Sequence, residues 1–318
     1  MTKRQGLSPG RRILAAAFVL LGISVAGYLI YRGLSHYRFD DIMKSVRAVP
    51  AGNLAEAALF AACSYACLTG FEWLGIRYTG NRLPYRKVAL AGFVSLSLAH
   101  SIGFSGLSSG AIRYRFYSRW GLSAGDVAKL VLFSGTTVGL GLAVLGGVAL
   151  LTQSGAIAGL VGVAPVLLRI AGGVFLAAAP AYLVLAFTMR GKLEIRQWTL
   201  EMPPPWIAAA QIVIGTVNFL CVAAALHALV ASVSDASYLR VAAAYVSGNV
   251  LTLMIHVPGG LGVIEAATLY LVPSQRNLIG PLLVFRTVYY IVPLMIGLTT
   301  LGISEMVFRR KRRAKPAA

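Results

Sequence analysis

Hydrophobic positions in this chain come in long unbroken runs, without the regular polar interruptions of a water-facing helix or strand. The runs cover about 13–31, 52–75, 88–104, 126–151, 166–188, 206–231, 239–258 and 278–305. A helix of about 18 or more apolar residues is long enough to cross the hydrocarbon core of a bilayer. The pattern predicts an all-α polytopic membrane protein with eight membrane-embedded segments. The polar breaks are too short for a folded extramembrane domain, so residues 1–318 read as a single membrane domain that ends in a basic cytoplasmic tail, 306–318. Pro203, Pro204 and Pro205 make a stiff start to the sixth run, since proline suits the first turn of a helix. The first run, Ile13 to Tyr31, is longer than a signal-peptide core and no small-residue cleavage site follows it, so it reads as a retained helix.

Composition agrees with the pattern: 58% of residues are hydrophobic and 12% charged, against about 25% charged in a soluble domain. The net charge of +19 raises the question of nucleic acid, but its position excludes that partner. Lys and Arg cluster in the short segments between runs and in the tail Arg309 to Lys315. Such clusters set membrane orientation and attract anionic lipid. Cys63 and Cys67 lie one helical turn apart and Cys221 far away, so the cysteines read as packing residues.

One short pattern occurs twice. His100-x-x-Gly103-x-x-Gly106 returns as His256-x-x-Gly259-x-x-Gly262. Each copy closes an apolar run, and each precedes a long apolar helix that carries a cation, Lys129 in the first case and Arg286 in the second. An internal duplication over about 13–151 and 166–305 accounts for both. Glycine permits sharp turns, and non-helical backbone at membrane depth survives only when buried in protein or lining a wet cavity. Gly110, Pro258 and Gly260 belong to the same turn regions.

Basic residues also bear on topology. If 88–118 and 239–272 are re-entrant hairpins rather than crossings, Arg113, Arg115, Arg119, Arg190, Lys192 and Arg196 all move to the cytoplasmic side, with both termini. Each half then has three crossings and one hairpin, which makes the halves inverted repeats, a transporter architecture.

The segments "GFSGLSSGAIRYRFYSRWGLSAGDVAKLV" (103–131) and "HVPGGLGVIEAATLYL…LLVFRTVYYIVPLMIGL" (256–298) resemble the flippase membrane domain of lysylphosphatidylglycerol synthetase/flippases (the MprF type). They equally resemble its stand-alone YbhN-like (UPF0104) membrane relatives. The resemblance spans about 50–305. It implies a multi-pass protein of the bacterial inner membrane that moves an aminoacylated or related phospholipid between leaflets. Membrane phospholipids are the implied partners, with a lipid aminoacyltransferase or other lipid-synthesis enzyme beside them; oligomeric state is left open. The cytosolic lysyl-transfer domain of the fused members has no counterpart here, so no enzymatic activity and no cofactor are expected.

Charges inside the bilayer are the best pointers to a site, since each costs about 2.5–3.5 kcal/mol at a helix centre. Arg286 lies about 12 Å into its helix at 1.5 Å per residue. Glu265, beyond the second glycine cluster, can neutralise it; the two form either a structural pair or a shared head-group site. Tyr289 and Tyr290 are hydroxyl donors to that site or interfacial anchors. Lys129 follows Asp126 closely and can snorkel to the interface. Arg113 and Arg115, two apart, face different ways, either as interfacial anchors or as bidentate phosphate readers. His100 and His256 have no ligand partners at metal spacing, so no metal is expected; a hydrogen bond that holds the glycine turn is the simpler role. Glu72 suits an interface pair with Arg77, His227 reads as packing, and Glu56 is left open.

No Gly-x-x-x-x-Gly-Lys-Ser/Thr string occurs, which excludes an ATP pump of that class. Ser109 with His100 lacks a placed carboxylate for hydrolase chemistry. The leading expectation is ATP-independent flipping of a phospholipid such as lysylphosphatidylglycerol. The alternatives are a non-transporting scaffold for a separate lipid-modifying enzyme and, behind it, an intramembrane enzyme built on Glu265 and His256.

Overall fold

The computed structural model describes residues 39–102, 105–189, 192–195, 198–255, 258–274 and 278–313. The expected first helix at 13–31, Gly103 and His256 lie outside these residues. In chain order the helices are α1 (Phe39–Ala48), α2 (Ala51–Tyr78), α3 (Tyr85–Ile102), α4 (Ser105–Tyr117), α5 (Ala124–Thr152), α6 (Ser154–Val161), α7 (Pro165–Thr188), α8 (Pro205–Val230), α9 (Tyr238–Ile255), α10 (Val263–Leu271), α11 (Ile279–Arg286) and α12 (Val292–Arg313). Sequence sets several starts. Pro165 and Pro205 occupy the first turns of α7 and α8. Ser123 and Asp126 form a capping box at α5, with the Asp126 N–H donating to Ser123 Oγ at 3.1 Å and the Ser123 N–H donating to Asp126 Oδ2 at 2.9 Å.

Among the described residues five helices are long and apolar enough to cross a membrane: Ala51–Tyr78, Ala124–Thr152, Pro165–Thr188, Pro205–Val230 and the run Ile279–Phe308. They match five of the eight embedded segments expected, those at 52–75, 126–151, 166–188, 206–231 and 278–305, while 13–31 lies outside the described residues. The stretches expected at 88–104 and 239–258 fold differently. Each is an 18-residue helix, α3 or α9, followed by a break and a shorter helix, α4 or α10. Arg86, Lys87, Ser95 and Ser97 in α3, and Arg240, Ser247 and Asn249 in α9, lower their hydropathy. A departure from the all-α expectation is a short antiparallel ribbon, β1 (Lys192–Ile195) with β2 (Trp198–Glu201), joined in register from Lys192↔Glu201 to Ile195↔Trp198.

α2 and α8 form the antiparallel spine of the bundle. At one end Asn53 Nδ2 donates to Ala228 O at 2.7 Å; at the other Tyr78 OH donates to Glu201 O, four residues before α8. α5 crosses α8 so closely that a Cβ on Gly215 would strike the Thr137 carbonyl oxygen, and one on Gly141 would strike the Gly215 carbonyl. Only glycine fits this crossing, a packing device common where lipid supplies no hydrophobic drive between helices. α7 lies outermost against α5 and α6, and its Val166, Ile170 and Val174 face outward.

The two broken helix pairs come in from opposite ends. α3 and α4 pack along one another with their outer ends near the Tyr78 end of α2; Tyr85 OH lies 2.9 Å from Thr69 Oγ1, and Tyr117 OH donates to Glu72 at 2.9 Å. α9 and α10 do the same at the Ala51 end, where Arg240 Nε donates to Leu271 O at 2.7 Å and Ser234 Oγ to Pro273 O at 2.7 Å. Inside the bundle α3 touches the turn Pro258–Gly260 between α9 and α10. The final helices are exchanged: α5 packs on α9, and α12 packs on α3.

Candidate functional site

The glycine turn of the second pair is held by one cation. Gly259, Gly260 and Gly262 have φ of 60°, 60° and 80°, backbone that L-residues other than glycine seldom adopt. Arg286, the last residue of α11, reaches across to it. Its Nη1 donates to Gly259 O at 3.0 Å, its Nη2 to Gly260 O at 3.1 Å and its Nε to Glu265 Oε1 at 2.5 Å. Glu265 in turn accepts the Gly262 N–H at 2.9 Å and so caps α10. The planar guanidinium fork satisfies two carbonyls that a tight turn leaves without helical donors. The pair is not sealed: the Arg286 and Glu265 side chains keep 13% and 19% of their surface exposed. Arg286 also lies over the Tyr290 ring, 5.4 Å from its centroid.

Immediately after Arg286 the helix widens into a π turn, Thr287–Ile291. Such turns leave main-chain carbonyls free of the helical ladder, and Tyr65 OH donates to the Tyr289 carbonyl at 3.3 Å. The Tyr289 hydroxyl is 3.0 Å from Ser64 Oγ, which donates to Asn218 Oδ1 at 2.8 Å. α2, α8 and the π turn are thus tied by one buried polar chain. Tyr290 belongs to a second chain through Tyr245 and Asn249 of α9. His100, on the last turn of α3, stacks on Tyr289 at 6.3 Å and meets Tyr65 edge-on at 6.4 Å. Its Nδ1 is sealed from solvent and has no hydrogen-bond partner among the described residues.

Comparison with known proteins places this architecture. The chain is 30% identical over 286 residues to "Uncharacterized protein slr0712" of Synechocystis sp., an alignment that covers 89% of each. It is 27% identical over 289 residues to "Inner membrane protein YbhN" of Escherichia coli, covering 88% of this chain and 89% of that one. The chain belongs to the family of these two proteins, a YbhN-like membrane family. No model of a known protein family matches it.

Within this YbhN-like fold the remaining sequence-predicted residues divide by surroundings. Arg113 is 1% exposed and lies against Glu72, fully buried on α2. Nε donates to both carboxylate oxygens at 2.9 and 3.1 Å, Nη2 to Oε2 at 2.6 Å, Nη1 to Ser109 Oγ at 3.0 Å and Nη2 to Ser134 Oγ at 3.1 Å. Enclosed this way, Arg113 ties α4 to α2 and α5 and has no opening toward a head group in this structure. The expected Glu72–Arg77 interface pair is replaced by this contact, and Arg77 instead stacks over Trp73 at 4.1 Å. Arg115 does face another way, as its spacing from Arg113 requires: its Nε and Arg119 Nη2 both donate to Glu305 Oε1 of α12 at 2.7 Å. Lys129 is half-buried and takes part in neither network. Gly110 is half-buried within α4, with Val131 of α5 the near neighbour.

The hydrogen bond expected from His100 to its glycine turn falls on Gly103, outside the described residues. His227 packs against Tyr238 and its Nε2 lies 3.2 Å from Ala236 O. The string Gly106-Leu107-Ser108-Ser109-Gly110 has Gly-x-Ser-x-Gly spacing, but it lies inside α4 and not at a strand-to-helix turn, so it is no nucleophile elbow. Among the described residues no three His, Cys, Asp or Glu side chains gather as a metal site. Ser64, Asn218 and Tyr65 are the polar participants that sequence reasoning missed, and Glu72 was given the wrong partner. For Glu72 a signal was present, a carboxylate in the last third of an apolar helix.

Proposed function

We propose that this protein is an ATP-independent lipid translocase of the bacterial inner membrane, with both termini cytoplasmic. In this reading 13–151 and 166–305 are inverted repeats, and α3–α4 and α9–α10 are re-entrant hairpins. The opposite directions of the two pairs, their touching inner ends and the exchange of α5 and α12 support it. Orientation follows from charge: Arg77, Arg82, Arg86, Lys87, Arg115, Arg119 and the Arg309–Arg313 run all lie at the Tyr78 end. The inner-membrane assignment rests on similarity to the E. coli protein of that name.

The observation that carries the reading is the Arg286–Glu265 pair. Glu72–Arg113 is fully enclosed and leaves no face for a ligand. Arg286 and Glu265 instead stay partly open beside a glycine turn in the middle of an apolar bundle. There an intramembrane charge marks a substrate path by default. The guanidinium is suited to the phosphate of a lipid, and Glu265 to a cationic head group such as an aminoacyl ester. Leaflet exchange of fluorescent phosphatidylglycerol and aminoacyl-phosphatidylglycerol in proteoliposomes tests this. Wild type should exceed empty liposomes. Arg286→Ala and Glu265→Gln should each lose about tenfold to a hundredfold, the equivalent of one charge-assisted hydrogen bond. Wild type and both variants at the rate of empty liposomes would overturn the reading in favour of a non-transporting scaffold.

A further inference from the structure

The buried polar centre holds a titratable group that the head-group site does not use. His100 stands where α3 meets the π turn, walled by Tyr289 and Tyr65, with Nδ1 sealed and unpartnered. A buried polar atom without a partner costs free energy that folding normally avoids, so it calls for a reason. Among the described residues the groups that act on this imidazole are Tyr65 of α2, Tyr289 of the π turn and, through space, Arg113 of α4. Arg113 is committed to Glu72. Among the described residues no carboxylate faces His100 to supply the negative charge that an imidazolium would need. An anion that enters the centre would.

Resting on the translocase reading, we propose that His100 takes up a proton when a lipid phosphate enters the centre, so that an anionic phospholipid and a proton cross together. The balance is simple: the proton comes from water on the side of lipid loading, binds the lone pair of the neutral imidazole, and returns to water where the lipid leaves. No bond of the lipid breaks. Phosphatidylglycerol then crosses without net charge. Moved alone, its charge would be opposed or driven by membrane potential, with a distribution that shifts roughly 50-fold per 100 mV.

Two measurements test this. The chain has four histidines, so imidazole 15N signals can be assigned by substitution in nanodiscs. At a pH where the His100 signal reports neutral imidazole in phosphatidylcholine, adding phosphatidylglycerol should protonate it, while His227 serves as the reference for surface potential. An equal response of both histidines overturns the proposal whether or not lipid moves. In proteoliposomes with a lumenal pH dye and a potassium diffusion potential, wild type should carry about one proton per phosphatidylglycerol and ignore the potential. His100→Gln, which keeps hydrogen bonding but cannot take the proton, should move lipid without acidification and become potential-dependent. Lipid movement without proton movement in wild type overturns proton coupling and leaves translocation standing. Lipid exchange no faster than empty liposomes overturns translocation itself.

Discussion

Glu72→Gln is the most informative perturbation of the architecture. Glutamine has nearly the shape of glutamate, and shape matters at this position: a Cβ on Gly92 would come within 2.9 Å of Glu72 Cγ, so the side chain already fills its slot. The change therefore removes charge and leaves packing in place. Arg113 loses the partner that receives both Nε and Nη2, and Tyr117 loses the carboxylate that accepts its hydroxyl at 2.9 Å. Ser109 and Ser134 stay as acceptors, but both are neutral. An uncompensated cation in a buried site costs about 3–5 kcal/mol. The double variant Glu72→Gln/Arg113→Met should cost less than the two single variants added together, because it buries no net charge. The assay is reversible unfolding in mixed micelles across the four-member cycle, with a coupling energy of about 2–3 kcal/mol expected. A loss below about 1 kcal/mol for Glu72→Gln, or strict additivity in the double variant, would refute the reasoning that this pair is a buried tie.

Other outcomes follow from the same structure. Gly215→Ala should destabilise by about 1–3 kcal/mol in the same unfolding assay, because its Cβ meets the backbone of α5 and neither helix can yield locally. Gly262→Ala meets nothing within 4 Å, so only the left-handed backbone resists it, at about 1–2 kcal/mol; a larger loss would mean that the turn is also sterically closed. Glu305→Gln, which serves two partly exposed arginines, should change stability by less than about 1 kcal/mol, an effect that salt removes. With Cys63, Cys67 and Cys221 replaced by alanine, cysteines at Ser118 and Ser237 should react with impermeant reagent from opposite sides of the membrane; reaction from one side would exclude opposed hairpins.

Much of this was legible before any coordinates. Long apolar runs locate the five crossing helices to within a few residues, because burial in lipid is decided by local hydropathy over one helix length. The prolines at 203–205 mark the start of α8 for an equally local reason. Glu265 and Arg286 drew attention because each is a costly charge in an apolar run, and the structure brings them together. Glu72 shows the limit. A local partner, Arg77, lies one turn away, yet the carboxylate bonds a residue separated by 41 positions, and no spacing rule reaches that far.

Sequence alone determined that the chain is a helical membrane protein, where most helices begin, and that the second short helix pair turns at glycines. Only tertiary structure decided that the broken pairs come in from opposite ends, that Arg286 straps the glycine turn while Arg113 is walled in, and that His100 is left facing two tyrosines. Hydropathy and turn propensity act over a few neighbours and can be summed along the chain. Charge partners and orphaned polar atoms depend on which helices meet, and that is settled by close packing between segments far apart in sequence.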